Sequence, residues 1–230
     1  MHIFNRQLNW PHNWQHKRSF YRKNLSGLAT VLLFTATTLI STTAYSASKT
    51  VLVLGDSLSA EYGIARGTGW VALLEKRLQE KKIDASVINA SISGETSSGG
   101  KTRLEALLSK YHPTIVIIEL GANDALRGLA LSASENNFRE MVRVSQSAKA
   151  KVVLIGMQIP PNYGREYTER FFAMYARVAK DTRSVLVPFL LEGVATKPEL
   201  FQPDRLHLLA EAHPAILNNV WPYLQNLLRK

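Results

Sequence analysis

The feature that most constrains the fold is a short, uncharged and largely apolar run that recurs five times along the chain. The runs occupy residues 51–54, 85–88, 115–118, 152–155 and 185–187. Runs of this kind are typical of strands that are buried on both faces of a parallel sheet. Because the stretches between them have helical spacing, the sequence predicts an α/β fold, a single three-layer α/β/α domain with a five-stranded parallel sheet.

Apolar side chains recur at helical spacing between the runs. They include Trp70, Leu73, Leu74 and Leu78, then Leu104, Leu107 and Leu108, and finally Ile216, Val220, Leu224 and Leu227. Two further helices are predicted around residues 134–149 and 165–181, although Ser and Asn interrupt the first pattern. Pro222 lies within the last stripe, and we expect it to kink or shorten that helix.

The N-terminal segment has the order of a secretory signal. Five of the 28 basic residues and none of the 18 acidic residues lie in residues 1–46, so this segment carries half of the net charge of +10. An uncharged stretch follows at residues 25–40, and Ala44 and Ser46 stand where a signal peptidase reads small side chains. This order predicts a signal peptide over residues 1–46 and a periplasmic or secreted domain over residues 47–230. An uncleaved membrane anchor is the alternative, but the stretch is short and rich in Thr for a span of about 20 apolar residues.

Composition excludes several kinds of site. The chain has no cysteine, which excludes disulfides, thiolate metal sites and a cysteine nucleophile. After the signal segment only His112, His207 and His213 remain, none of them in a His-Glu-x-x-His arrangement, so no metal site is expected. The basic residues of the domain form no run with interleaved aromatics, which argues against a nucleic-acid partner.

Residues 94–102 superficially resemble a phosphate-binding loop. That loop has four residues between its first Gly and the Gly-Lys-Thr/Ser group, whereas five residues separate Gly94 from Gly100 here. The extra residue changes the register of the backbone donors. We therefore expect neither a nucleotide nor any other cofactor.

The residues that follow the strands are the ones expected to carry chemistry, because ligands of open α/β sheets bind beyond the carboxyl ends of the strands. Ser57 follows the first run in the sequence Gly-Asp-Ser, without the Gly-x-Ser-x-Gly pattern of the α/β-hydrolase elbow. The backbone N–H groups of Ser57 and Gly94 and the side-chain amide of Asn123 could together donate to a developing oxyanion. A turn or a helix cap is the structural alternative for Gly-Asp-Ser.

His207 is the histidine best placed to activate a serine. It lies three residues after Asp204, a spacing that lets the carboxylate reach Nδ1 on one tight turn while Nε2 faces outward. An ordinary surface turn is the alternative interpretation of this pair. His112 precedes Pro113 before a buried strand, so it is expected at the amino end of the sheet as a helix cap. His213 has only Glu211 as a nearby acidic partner.

Four stretches together resemble the four sequence blocks of the GDSL, or SGNH, hydrolases, in the order and spacing of that family. The blocks are residues 55–59, 91–96, 121–124 and 204–207. The resemblance covers residues 50–228 and is nearest to the secreted bacterial branch of multifunctional acyl-CoA thioesterases, lysophospholipases and arylesterases. Residues 160–167 also resemble the substrate-side loop of that branch. The resemblance implies the flavodoxin-like fold of these hydrolases.

The resemblance also implies a role for each matching residue. Ser57 is expected to be the nucleophile, and Gly94 and Asn123 to complete an oxyanion hole with the Ser57 N–H. His207 is expected to act as general base and then acid, oriented by Asp204.

Three positions depart from the pattern of the family. Ala122 stands where this branch often has Gly, Leu208 where Pro is frequent, and Arg205 where Gly is usual. We expect the turn at Arg205 to manage without a position that adopts positive φ freely. Asp56 and Asp124 are expected to shape the loops rather than to react.

The predicted activity is hydrolysis of carboxylic esters and thioesters through an acyl-enzyme intermediate. A groove bordered by Leu58, Ile92, Ile159 and Pro160 would favour an apolar acyl chain. The partner is then a small-molecule ester, a membrane serves only as a source of lipid substrate, and the protein is expected to be a monomer. Two alternatives remain open: an O-acetyl esterase acting on polysaccharide or peptidoglycan, and a non-catalytic lipid-binding protein on a hydrolase scaffold.

Overall fold

The structure is a computed structural model that describes residues 48–229. The predicted signal peptide over residues 1–46 lies outside the described residues and stays a prediction, as does the export that depends on it. Within residues 48–229, no helix combines the length and the hydrophobicity that crossing a bilayer requires.

In residues 48–229, five parallel strands form one sheet, as predicted. They are β1 (Lys49–Gly55), β2 (Ala85–Asn89), β3 (Ile115–Glu119), β4 (Lys151–Ile155) and β5 (Val185–Val187). Their order across the sheet is β2-β1-β3-β4-β5, and every neighbouring pair is parallel. All five predicted runs are therefore strands, and the predicted parallel α/β sheet is confirmed.

Within the described residues 48–229, six helices flank the sheet in two groups. They are α1 (Trp70–Glu80), α2 (Ser97–Tyr111), α3 (Ala122–Leu126), α4 (Leu131–Ser147), α5 (Arg165–Thr182) and α6 (His213–Leu228). Helix α1 packs against α6, whereas α4 packs against both α2 and α5. The two groups cover the two faces of the sheet, which confirms the three-layer arrangement.

The sheet has an apolar interior because its central strands carry large apolar side chains on both faces. Every residue of β3 is buried, and so are the last five residues of β1. The helices fill the two layers above and below with Trp70, Leu74, Phe138 and Phe171, all completely buried. A continuous apolar run is the pattern that a sheet covered on both faces requires.

Pro222 was expected to kink or shorten the last helix, and it does not shorten it. Helix α6 continues through Pro222 to Leu228. A proline inside a helix removes one backbone hydrogen bond and costs about 3 kcal/mol. Val220 and Leu224, on either side of it, are completely buried, and this tertiary packing offsets the local cost.

The segment that resembles a phosphate loop is the start of a helix. Thr96 is the N-cap of α2, and its hydroxyl accepts a hydrogen bond from the Gly99 N–H. Gly100 is buried in the helix, where an added Cβ would lie 2.4 Å from Cδ1 of Leu120. These glycines therefore serve helix packing. At the other end of α2, His112 is the C-cap with a φ of 43°, as predicted.

Candidate active site

The strand order places a topological switch point between β1 and β3. From β1 the chain turns outward to β2 on one side, and from β3 it continues to β4 and β5 on the other side. Open α/β sheets bind ligands in the crevice at such a point, beyond the carboxyl ends of the strands. Ser57 follows β1 and Asn123 lies in α3 after β3, so both residues are at this crevice.

A cavity of about 420 Å³ occupies the crevice and brings together most of the predicted site. Ser57, Asn123 and His207 all line it, although no hydrogen bond joins the Ser57 hydroxyl to His207. The cavity wall contains these and further residues, most of them apolar: Asp56, Leu58, Ala122, Leu126, Met157, Gln158, Ile159, Pro160, Pro161, Phe189, Leu191, Ala195, Phe201, Arg205 and Leu206. A serine hydroxyl, a side-chain amide and an imidazole thus share one largely apolar space.

Three predicted residues do not line this cavity: Ile92, Gly94 and Asp204, which contacts the cavity-lining His207. Ile92 was expected to border the acyl groove, but its side chain is 50% exposed and is absent from the cavity wall. Its backbone N–H donates to the Gly55 carbonyl, which fixes the chain beside β1 while the side chain faces outward. Gly94 has a φ of 77°, and its carbonyl accepts a hydrogen bond from Nη2 of Arg127 at 2.9 Å.

Asp204 holds the turn that carries His207 through three hydrogen bonds, two of them with His207 itself. Oδ1 of Asp204 accepts from the backbone N–H groups of Leu206 and His207, at 2.9 and 3.0 Å, and Oδ2 lies 2.6 Å from Nδ1 of His207. These contacts, led by the His207 backbone N–H, lower the pKa of Asp204 to about 2. The carboxylate is therefore ionised at neutral pH and can stabilise an imidazolium that forms on His207.

The ring of Tyr62 packs on the imidazole. The ring centroids of Tyr62 and His207 are 4.2 Å apart, with an interplanar angle of 37°. Gln202 links the two loops, because its Nε2 donates to the carbonyls of Tyr62 and Leu208, both at 2.9 Å. Asp204 and Tyr62 thus hold the ring from two directions. Nothing in the sequence pattern indicated the contribution of Tyr62.

The turn at Arg205 has no glycine that would adopt positive φ freely, and Arg205 itself takes this conformation. Arg205 adopts a φ of 58°, the left-handed conformation that glycine adopts without steric cost. The turn therefore uses positive φ even though a Cβ is present. The three hydrogen bonds to Asp204 span this residue and impose the conformation on it. The Arg205 side chain is exposed and contributes to the cavity wall.

Asp56 shapes the loop after β1, as expected. Its Oδ1 accepts from the Leu58 N–H at 3.0 Å and its Oδ2 accepts from Nδ2 of Asn123 at 3.1 Å. Nδ2 of Asn123 also donates to the Glu95 carbonyl at 3.0 Å, so two acceptors fix the amide at the cavity wall. Burial raises the pKa of Asp56 to about 6, more than its hydrogen bonds and the charge of His207 lower it.

Asp124 joins three helices, which is also a structural role. It accepts hydrogen bonds from the backbone N–H of Ser97 at 2.8 Å, from the Ser97 hydroxyl at 2.5 Å and from the Ser134 hydroxyl at 2.8 Å. The carboxyl group is buried, and its partners lie at the start of α2 and in α4. These bonds occupy both carboxylate oxygens of Asp124, which thereby fixes helix α3, the helix that carries Asn123.

His213 does not line the cavity and has a structural partner instead. It is buried in the first turn of α6, and its Nδ1 accepts a hydrogen bond from the Trp70 backbone N–H at 3.1 Å. Burial lowers the pKa of His213, which keeps the ring neutral as this hydrogen bond requires. It therefore caps α1.

Glu119 is a buried carboxyl residue that was not among the predicted site residues. It ends β3, is 2% exposed and pairs in register with Gly55. Its Oε2 accepts from the Ser59 hydroxyl at 2.7 Å and from the Asp56 N–H at 3.3 Å. One signal was available in the sequence: a carboxyl group directly after four apolar residues in a strand buried on both faces.

Comparison with known proteins is consistent with this geometry. Residues 53–215 match the model of the GDSL-like Lipase/Acylhydrolase family. The chain is 46% identical over 198 residues to Esterase TesA of Pseudomonas aeruginosa, which covers 86% of this chain and 98% of that protein. It is also 42% identical over 182 residues to the Thioesterase 1/protease 1/lysophospholipase L1 of Escherichia coli, covering 79% of this chain and 86% of the relative.

A solved structure has the same fold. The psychrotrophic esterase EstA from Pseudoalteromonas sp., in a form inhibited by monoethylphosphonate, superposes with a TM-score of 0.76 at 42% sequence identity. The match covers 79% of this chain and all of that one. The resemblance predicted from the four sequence blocks is thereby confirmed. The chain belongs to the GDSL-like lipase/acylhydrolase family and is an esterase.

Proposed function

We propose that the protein hydrolyses carboxylic esters and thioesters with apolar acyl chains, using Ser57 as the nucleophile. The observation that carries this proposal is the shared cavity: Ser57, Asn123 and His207 line a space of about 420 Å³ whose other walls are largely apolar. That volume is within the range of about 300–1,000 Å³ typical of small-molecule sites. Leu58, Ile159 and Pro160 line it and retain their predicted role on the acyl side.

The reaction proceeds in two acyl-transfer steps. His207 takes the proton of the Ser57 hydroxyl as Oγ bonds to the acyl carbon, and Asp204 stabilises the resulting imidazolium. The tetrahedral species collapses, the bond to the leaving alcohol or thiol breaks, and His207 gives that group its proton. A water molecule then attacks the acyl-enzyme with the same base, and the acid leaves as the Ser57 hydroxyl re-forms.

The oxyanion of each tetrahedral species accepts hydrogen bonds from the backbone N–H groups of Ser57 and Gly94 and from the amide of Asn123. Asn123 has the clearest structural support. Of its two acceptors only Asp56 belongs to the cavity wall, so the hydrogen directed at Asp56 is the one that an oxyanion can share. Loss of one donor of this kind costs about 10²–10³ in kcat.

The natural substrates proposed are lysophospholipids and other exported or environmental esters. The names of relatives include thioesterase, arylesterase and lysophospholipase, and these activities match an apolar acyl site that tolerates several leaving groups. If residues 1–46 direct export, acyl-CoA is scarce where the enzyme works. N-terminal sequencing of the exported protein tests this part, because an intact segment 1–46 on membranes would instead support an anchor.

The decisive assay is a series of p-nitrophenyl esters from acetate to palmitate, with acyl thioesters of the same chain lengths. We expect kcat/KM to rise with chain length beyond acetate, because each buried CH₂ contributes about 0.8 kcal/mol. Activity confined to acetate would favour an O-acetyl esterase.

Ser57→Ala is the matched variant for the nucleophile. We expect it to remain folded and to lose nearly all hydrolysis, whereas a variant with wild-type activity would contradict the assignment of Ser57. An alkyl phosphonate should label the wild-type protein at Ser57. If no serine is labelled and no ester is cleaved, the protein binds lipid without catalysis.

A further inference from the structure

A buried chain of hydrogen bonds connects the protein core to the amide of Asn123. It starts at Trp70, whose Nε1 donates to the Ser59 hydroxyl at 3.1 Å. Ser59 donates to Oε2 of Glu119 at 2.7 Å, and the Asp56 N–H donates to the same oxygen at 3.3 Å. Asp56 then accepts from Asn123 at 3.1 Å. The chain thus runs from helix α1, through the end of β3, to the cavity wall.

The surroundings of Glu119 leave it little freedom to move. Gly55 stands opposite it in the β1–β3 register, and an added Cβ there would lie 2.9 Å from Oε2 of Glu119 and 2.8 Å from Oγ of Ser59. The carboxyl group therefore fills space that a side chain at position 55 would need. Ser59 is 1% exposed and Trp70 is completely buried, so the first links of the chain are fixed by packing.

We infer that Glu119 is a positioning residue for the oxyanion hole: by holding the backbone of Asp56 it fixes the carboxyl group that orients the Asn123 amide. This inference rests on the proposed function, in which Asn123 donates to the oxyanion. Glu119 is absent from the cavity wall, so it acts through Asp56 and does not touch the substrate.

The charge state of Glu119 suits this role. Burial, and next the negative charge of Asp56, raise the pKa of Glu119 well above its usual value, which favours the neutral, protonated carboxyl group. A neutral acceptor holds Ser59 and the Asp56 backbone without adding a second negative charge behind the oxyanion hole. Gln is then a close mimic of the native side chain, whereas Leu has similar bulk and no acceptor.

The test is a double-mutant cycle on a p-nitrophenyl ester, with Glu119→Leu and Asn123→Ala made singly and together. We expect Glu119→Leu to lower kcat at least about 10-fold with KM changed less than about twofold, and Glu119→Gln to restore most of kcat. In the Asn123→Ala background, Glu119→Leu should cost less than about twofold, because residues that act through one another are not additive. All variants are compared at a temperature where circular dichroism shows them folded.

The outcomes separate this inference from the proposed function. If Asn123→Ala alone leaves kcat unchanged, the proposed oxyanion hole fails. If Asn123→Ala lowers kcat as proposed but Glu119→Leu costs the same factor with and without it, only the positioning role is overturned. Should Glu119→Leu not fold, Ser59→Ala removes one link of the same chain, and its smaller loss of kcat must likewise disappear in the Asn123→Ala background.

Discussion

Replacing Arg205 by Gly should make the protein more stable. Arg205 sits between Asp204 and His207 with a φ of 58°, and the side chain has no ion-pair partner among residues 48–229. Glycine adopts this conformation freely, because it has no Cβ to approach the following carbonyl. The backbone hydrogen bonds that Asp204 accepts do not involve the Arg205 side chain, so the variant retains them.

The expected gain follows from two opposing effects. An L-residue in the left-handed region costs about 1–2 kcal/mol, and Arg205→Gly removes that cost. Glycine also has more conformational freedom in the unfolded chain, which lowers the free energy of unfolding by about 0.5–1 kcal/mol. The free energy of unfolding should therefore rise by about 0.5–1 kcal/mol. For a domain of this size, that corresponds to a Tm increase of about 1–4 °C.

The control is Arg183→Gly, which lies between α5 and β5. Arg183 is also exposed, has a φ of 54° and caps α5 at its C-terminus. Thermal unfolding followed by circular dichroism should show similar increases in Tm for the two variants. A fall in Tm for Arg205→Gly, with a rise for Arg183→Gly, would show that the Arg205 side chain stabilises the turn and would refute the argument from backbone strain.

The two variants should differ in catalysis. Arg205 places a permanent positive charge at the cavity wall, whereas Arg183 lies outside it. The quantity to compare is the ratio of kcat/KM for an ester with an anionic leaving group to kcat/KM for a neutral ester of the same acyl chain. In Arg205→Gly this ratio should fall about 2- to 10-fold, because a charge near a partly exposed site contributes about 1 kcal/mol. Arg183→Gly should leave this ratio unchanged, and equal ratios for both variants would mean that Arg205 does not face the leaving group.

Two further predictions concern stability. Gly156→Ala should lower the free energy of unfolding, measured by urea denaturation, by more than about 2 kcal/mol, because the new Cβ would lie 2.2 Å from the Pro188 carbonyl oxygen. A change below about 0.5 kcal/mol would show that the backbone moves to accommodate the methyl group. Because the pKa of His213 is lowered in the folded protein, its contribution to the free energy of unfolding is present above about pH 6.5. That contribution is lost as the pH falls through the pKa of His213 in the folded state. The raised pKa of Asp56 instead increases stability as the pH falls below about 6. The test is therefore the difference in the free energy of unfolding between wild type and His213→Gln, which should shrink from pH 8 to pH 5.

Most of the fold could be predicted from the sequence because its sheet is buried on both faces. In a strand such as β3 the first four residues are then all apolar, and such runs are visible without any knowledge of tertiary contacts. Pro222 shows where local rules fail: its cost is paid within α6, but the compensating packing of Val220 and Leu224 comes from other parts of the chain. Propensity alone cannot weigh those two contributions.

The two halves of the candidate site were predictable to different degrees. Asp204 and His207 are three residues apart, so their contact follows from the spacing of a single turn. The position of Ile92 depends instead on how the loop after β2 bends, and the sequence does not specify that direction. Tyr62 reaches His207 from a loop more than 140 positions earlier in the chain, and an aromatic residue in a loop gives no sign of such a partner.

The candidate site also divides into a buried part and an exposed part. Asp56 and Glu119, which lie beside Ser57 and Asn123, are almost completely buried, whereas the turn that carries Asp204 and Arg205 is exposed. A substitution behind Ser57 therefore disturbs packing and catalysis together, since buried polar groups lose partners that water cannot replace. A substitution on the exposed turn can change the orientation of His207 with little effect on the core. Stability and kcat should consequently change together for variants on the β1–β3 side of the cavity and independently for variants on the His207 side.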